Sequence, residues 1–148
     1  MDVVVTVPKT FTHPCAPGLR GLAAWIAEGD AAGDPWSGVD WEFTVGGFKP
    51  VCEPGDRVYV VCEDALRGYA PLIRLEQEGD FRWLLVRGGD ARAVTLREPI
   101  KGFRGWRRRW WNREVELPFP DWKTAKLVRG GILVTEERTE SATCQGRK

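Results

Sequence analysis

The chain has one histidine and one methionine in 148 residues, and its four cysteines (Cys15, Cys52, Cys62, Cys144) form no CxxC pair. A structural zinc site needs four nitrogen or sulfur ligands, and "HPC" around His13 offers two, so no metal is expected and His13 reads as a satisfied or exposed side chain. A lone histidine also limits any Ser-His-Asp set to His13. Neither a P-loop nor the HxE with CxxC of the zinc deaminases is present, and no cofactor is expected. Apolar runs such as "VVV" at Val3 to Val5 fall far short of the roughly 20 residues a spanning helix requires, which excludes a membrane span. "MDVVVTVPKT" has an acidic second residue and no basic region ahead of an apolar stretch. That argues against a secretory signal and for the cytoplasm, where cysteines stay thiols.

What remains is an ordinary globular composition, 43% hydrophobic and 29% charged. The length suits one domain, drawn as residues 1–135, followed by a polar, aperiodic tail at 136–148 that reads as mobile. "DVVVTVP" is rich in β-branched residues and closed by Pro8, so it predicts a first strand. "LRGLAAWIAEG", Leu19 to Gly29, spaces Leu19, Leu22, Ala23 and Ile26 as a helix face and ends on glycine. The loop after it carries Trp36, which either plugs the core or lines a pocket. From Trp41 on, "WEFTV", "RVYVVCE", "GYAPLIRLEQ", "FRWLLVRG" and "ARAVTLRE" alternate with Gly/Asp turns. They predict an antiparallel meander closed into a small β-barrel with one or two flanking helices, an α+β, mainly β fold. "GGILVTEE" reads as a last strand returning beside the first, and "PFPDW" as an extended segment pinning Phe119 or Trp122 into the barrel.

Net charge is only +1, but Lys101 to Arg113, "KGFRGWRRRWWNR", holds one lysine, five arginines, three tryptophans and no acid. As a helix it places Phe103, Trp106 and Trp110 on one face; as a strand, Arg104, Trp106, Arg108 and Trp110 point together. The helix separates apolar from basic better, and Gly102 and Gly105 favour an irregular loop leading into a short helix. On this reading Trp106 and Trp110 are core. Trp111 offers a stacking face, with Arg104, Arg107, Arg108 and Arg109 meeting phosphate, because like charges without compensating acids repel unless something anionic lies opposite.

The stretch "PGDRVYVVCEDALRGYAPLIRLE", Pro54 to Glu76, resembles the PUA-like superfamily, which includes the ASCH, EVE and YTH domains. The resemblance rests on the Gly55–Asp56 turn, the apolar strand Val58 to Val61, the turn "EDALRG" and a second strand near Gly68–Tyr69. It implies a five- or six-stranded barrel with a cleft for RNA, DNA or a modified base. The Gly-x-Lys-x-x-Glu-x-Arg motif of ASCH domains is matched only in part by "GFKPVCEP": Gly47 and Lys49 fit, Glu53 comes one residue late and the arginine is missing. That puts ASCH-type hydrolysis in doubt.

These observations together predict a nucleic-acid or modified-nucleotide binding domain with a single-stranded or flipped-base partner. Trp111 with Trp36 or Trp41 would stack on a base, and Lys49 would flank the groove. Two alternatives stand beside it. A metal-free hydrolase would draw on Lys9, Thr10, Lys49 with Glu53, or Asp40 and Glu42 at the cleft. A protein partner would dock on the Arg/Trp patch, since these residues also dominate interface hot spots.

Overall fold

The computed structural model describes residues 1–29, 40–127 and 133–135. Its strands are β1 (Val3–Val7), β2 (Thr12–His13), β3 (Ala16–Arg20), β4 (Trp41–Gly46), β5 (Arg57–Cys62), β6 (Ala65–Gly79), β7 (Arg82–Arg87), β8 (Val94–Thr95), β9 (Trp106–Arg108), β10 (Leu117–Pro118), β11 (Ala125–Leu127) and β12 (Leu133–Thr135). Among the described residues, one helix, α1 (Gly21–Glu28), lies between β3 and β4, and one 3-10 turn spans Arg113–Val115. The fold is mainly β.

Six strands form one sheet in the order β4-β7-β6-β5-β1-β9. β5, β6 and β7 are the expected antiparallel meander. The sheet as a whole is mixed rather than antiparallel, because β1 lies parallel to β5 with Val3 opposite Val58 and Val7 opposite Cys62. A parallel pair needs a crossover, and the segment carrying α1 and β4 supplies it. β4 therefore pairs with β7 instead of β5. "ARAVTLRE" contributes the two-residue β8, paired with β10 outside this sheet, and an isolated bridge from Arg92 to Tyr69 of β6. "GGILVTEE" yields β12, which pairs with β11; the strand beside β1 is β9, from the Arg/Trp stretch.

β1 is buried on both faces, which is why its sequence is a β-branched run rather than an alternation. On one face Val3, Val5 and Val7 join Val58, Val60, Leu85, Val45, Trp25, Phe119 and Trp122. On the other, Val4 joins Tyr59, Val61, Leu66, Leu96, Ile100 and Trp111. Each fully buried valine contributes roughly 1.5–3 kcal/mol. No ladder closes the sheet into a barrel, but it curls until its two edge strands meet at one end. The Trp106 indole Nε1 donates to the Phe48 carbonyl at 2.9 Å, and a Cβ on Gly105 would lie 3.3 Å from the Gly46 carbonyl.

The β5–β6 hairpin turns on two residues, Glu63 and Asp64, both at positive φ (51° and 65°), so the second strand starts at Ala65, earlier than the "EDALRG" turn suggested. Glu63 also serves the helix, its Oε2 accepting from the Leu22 amide at 3.0 Å. Gly21 sits at φ +58°, where a Cβ would come within 2.6 Å of that same oxygen. Gly29 closes α1 in the left-handed region (φ 88°), donating to the Ile26 carbonyl. The buried face of α1 is Leu22, Ala24 and Trp25, not the Leu19, Leu22, Ala23, Ile26 set. Trp25 packs on Trp122 with ring centroids 5.4 Å apart. Both aromatics of "PFPDW" enter the core, Phe119 from directly after β10 and Trp122 from the turn that follows. The guanidinium of Arg67, fully buried, holds that turn: it donates to the carbonyls of Cys62 (3.0 Å), Trp122 (2.9 Å) and Ala125 (2.7 Å).

Cys52 and Cys62 are buried thiols, pushed up by burial to about 11 and about 12, so neither is a nucleophile near neutrality. Cys15 is disulfide-bonded, which corrects the expectation that every cysteine stays a thiol. His13 is buried, its Nδ1 accepting from the Cys15 amide at 3.0 Å. Among the described residues no cluster of three or more His, Cys, Asp or Glu could hold a metal, and no helix is long and apolar enough to cross a membrane. The tail at 136–148 lies outside the described residues.

Candidate nucleic-acid interface

The Arg/Trp stretch is no α-helix; it is irregular chain around a short strand, and its last residue, Arg113, enters the 3-10 turn. Its centre, β9, pairs antiparallel with β1, setting Trp106 opposite Val5, Arg107 opposite Val4 and Arg108 opposite Val3. Strand alternation sends Trp106 against the inner core and Arg107 to the other side, where its guanidinium lies 4.3 Å from the Phe103 ring centroid. The next two tryptophans reverse the expected roles. Trp110 is 53% exposed, and Trp111 is 9% exposed and part of the core. Trp111 stands edge-on to Tyr59 at 5.1 Å and donates from Nε1 to Glu116 Oε2 at 2.8 Å. Glu116 also accepts from the Tyr59 hydroxyl and, at 3.2 Å, from Arg57. Burial, then the bond to Glu116, pushes the Tyr59 hydroxyl well above its usual range, so it stays protonated and donating. Trp111 is thus held in a buried polar network and presents no open face.

The charge of the stretch is partly compensated after all. Asp2, buried at the start of β1, accepts from Arg109 Nε at 3.0 Å, from Arg113 Nη2 at 2.8 Å and from the Arg57 amide at 2.9 Å. Burial alone would raise the Asp2 carboxyl, but the Arg57 amide and the Arg113 and Arg109 guanidiniums outweigh it and hold it below the usual carboxylate range. A depressed folded value contributes stability that is present above the unfolded carboxylate value of about 3.9 and is lost as pH falls through the folded one. In Asp2→Asn that acid-labile component should vanish. Unfolding curves recorded from pH 6 to pH 2 should show wild type losing stability more steeply below pH 4 than the variant, and parallel curves would contradict the assignment.

Arg109 and Arg113 are therefore structural, whereas Arg104, Arg107 and Arg108 are exposed. No ion pair joins Arg104 or Arg108 to a described residue, so their charge faces solvent along the outer edge of the sheet.

β9 covers β1 only from Val3 to Val5. Past its end, Thr6, Val7 and Pro8 face Trp41 to Thr44 of β4 across a cleft of about 320 Å³, also lined by Phe11, Trp25 and Glu28. The cleft is the seam where the curled sheet fails to close. In their ladders β4 pairs only with β7, and Thr6 and Val7 pair only with β5, so both strands turn an unladdered edge to the gap. The Phe103 amide donates to Thr6 Oγ1 at 3.3 Å, which ties the arginine stretch to the rim. Inside the wall, the Trp41 Nε1 is buried with no hydrogen-bond partner.

Of the predicted site residues, Trp41 lines this cleft; Arg107 and Arg108 lie on β9 opposite Val4 and Val3, and Arg104 precedes β9, none of the three on the cleft wall. Trp111 sits in the core on the opposite face of the sheet, and Trp36 lies outside the described residues. Lys49 is at the far end of β4 from Trp41, with its ammonium 5.9 Å from the Trp83 ring centroid, so it flanks a different groove. Of the catalytic candidates, Glu42 lines the cleft, Lys9 is paired with Asp64 at 2.9 Å, and Lys49 and Glu53 form no ion pair. Phe11, Trp25 and Phe43 were not anticipated as cleft residues; their signal was only that of ordinary core aromatics. No family model, curated protein or solved structure matches this chain.

Proposed function

We propose that the chain is a PUA-like domain that binds single-stranded nucleic acid, or a modified nucleotide, by taking one base into the seam between β1 and β4. The observation that carries this reading is the pairing of an aromatic cleft with an exposed arginine edge. Trp41, Phe11 and Phe43 give planar apolar walls in a space that suits one nucleobase, and the unladdered strand edges offer backbone donors and acceptors to the edge of a base. Glu42 at the same cleft repels phosphate and accepts hydrogen bonds from amino groups, so the base enters while its phosphates stay outside. On this reading the exposed Arg104 and Arg108, outside the cleft wall, meet the phosphates of the flanking strand.

Trp41→Ala tests the pocket. Base–aromatic stacking is worth about 1–3 kcal/mol by alanine substitution, so affinity for a short single-stranded RNA should fall on the order of 10- to 100-fold, with the circular dichroism of the fold retained. A Trp41→Ala variant that folds and binds as tightly as wild type would remove the cleft from the site and leave the arginine edge to a protein partner.

A further inference from the structure

A second groove opens at the other end of β4. Gly47, Phe48, Lys49, Gln77, Phe81 and Trp83 line a space of about 240 Å³, with Asp80 as the one carboxylate on it. Phe48 is 81% exposed and Phe81 66% exposed, and their rings meet edge to face with centroids 6.5 Å apart at 82°, which leaves a broad ring face of each open to solvent. Phe81 holds this place at φ +57°, a backbone region that bulky side chains rarely adopt, in the turn between β6 and β7. The backbone there is tightly tied: the Gly47 amide donates to the Phe81 carbonyl at 2.9 Å and Trp83 Nε1 donates to the Gly47 carbonyl at 3.1 Å. Two aromatic rings are thus presented to water by a rigid, strained frame rather than tucked into the core. Strain of this kind, about 1–3 kcal/mol, persists only where the surrounding structure enforces it.

The groove adjoins the arginine edge. Gly46 is opposite Arg82 in the β4–β7 ladder and in backbone contact with Gly105, and the Phe48 carbonyl receives the Trp106 indole bond. Lys49 lines the groove, Arg82 follows Phe81 in the chain and Arg104 precedes Gly105, and all three are exposed. Aromatic faces interleaved with cations are the chemistry that holds a single strand without reading its sequence, since every base has a π-face and every step a phosphate.

We infer that Phe48 and Phe81 form a second stacking platform for the same single strand whose first base occupies the seam cleft, with Arg104 and Arg82 on the phosphates between. This rests on the nucleic-acid reading of the cleft, and it predicts a site spanning several nucleotides, with affinity that grows with length.

Phe48→Ala and Phe81→Asn test it. Neither ring is in the core, and asparagine suits the positive φ at position 81 better than phenylalanine does, so both variants should fold. Binding of AMP and of unlabelled RNA of two, four and eight nucleotides would be followed by calorimetry. The expected result is wild-type affinity rising from two to eight nucleotides, a loss of fivefold or more for the eight-mer in each variant, and unchanged AMP binding. Eight-mer affinity equal to wild type in both variants, while Trp41→Ala loses binding, would overturn the platform and leave the cleft standing. Wild-type protein that binds neither AMP nor RNA would overturn both. A concentration-dependent dimer in wild type, abolished by Phe48→Ala with no change in RNA affinity, would assign the patch to a second copy of this chain and also overturn the platform.

Discussion

Arg67→Met should lower the unfolding free energy by about 3 kcal/mol, the largest single effect expected in this fold. Methionine keeps most of the stem volume but removes donors to three buried carbonyls, those of Cys62, Trp122 and Ala125. Leaving a buried acceptor unsatisfied costs roughly 1–3 kcal/mol each, partly offset because a buried guanidinium is itself expensive to desolvate. Desolvation pulls its pKa down, and no acidic side chain hydrogen-bonds to it directly. The balance is decided by count, with three carbonyls against one ion. Loss of the pin frees the turn that carries Phe119 and Trp122, so the Trp25–Trp122 contact should loosen and near-UV dichroism should fall before the far-UV signal. A urea midpoint at or above wild type would mean that the buried charge, not the carbonyls, dominates that site.

The second large effect belongs to the arginine edge. Arg104→Ala with Arg108→Ala removes two exposed cations that are in no ion pair with a described residue, so stability should change little. The binding consequence follows from counterion release: each phosphate contact with a single strand contributes about 0.7 to the salt slope, and losing two lowers affinity on the order of 50-fold near 50 mM salt. The slope of log K against log salt should flatten by about 1.4. Arg109→Ala should behave differently. Its guanidinium is spent on Asp2 and on the Trp111 carbonyl, so the loss should appear in stability rather than in the salt slope. A double variant whose affinity falls with an unchanged slope would mean that Arg104 and Arg108 do not meet phosphate.

Much of the sheet was legible because its sequence obeys local rules. Val3 to Val7 is a β-branched run that only a strand buried on both faces explains, and Gly29 stops α1 as expected. The partnership of strands was not legible. Nothing in "DVVVTVP" says that it lies parallel to "RVYVVC", because pairing depends on a crossover and on long-range contacts rather than on composition. β9 was missed for a similar reason. Three residues carry no usable periodicity, and the stretch becomes a strand because β1 offers a free edge and Asp2 draws in Arg109 and Arg113. Trp110 and Trp111 exchanged places because adjacent residues on an extended chain point opposite ways, and Glu116, five residues on, supplies the acceptor that turns Trp111 inward. Of the candidate site residues named from the sequence the cleft drew Trp41 and Glu42, and its other walls came from Phe11, Trp25 and Phe43, which only the curl of the sheet brings together.

The central claim, a single-stranded nucleic-acid ligand at the seam and arginine edge, is tested most directly by titrating intrinsic tryptophan fluorescence with unlabelled eight-nucleotide RNA and its DNA counterpart at 50 mM and 200 mM salt. Saturable quenching that weakens as salt rises, and that is lost in Trp41→Ala, is the predicted result. Unchanged fluorescence with both polymers at the lower salt, with calorimetry equally silent, would contradict it.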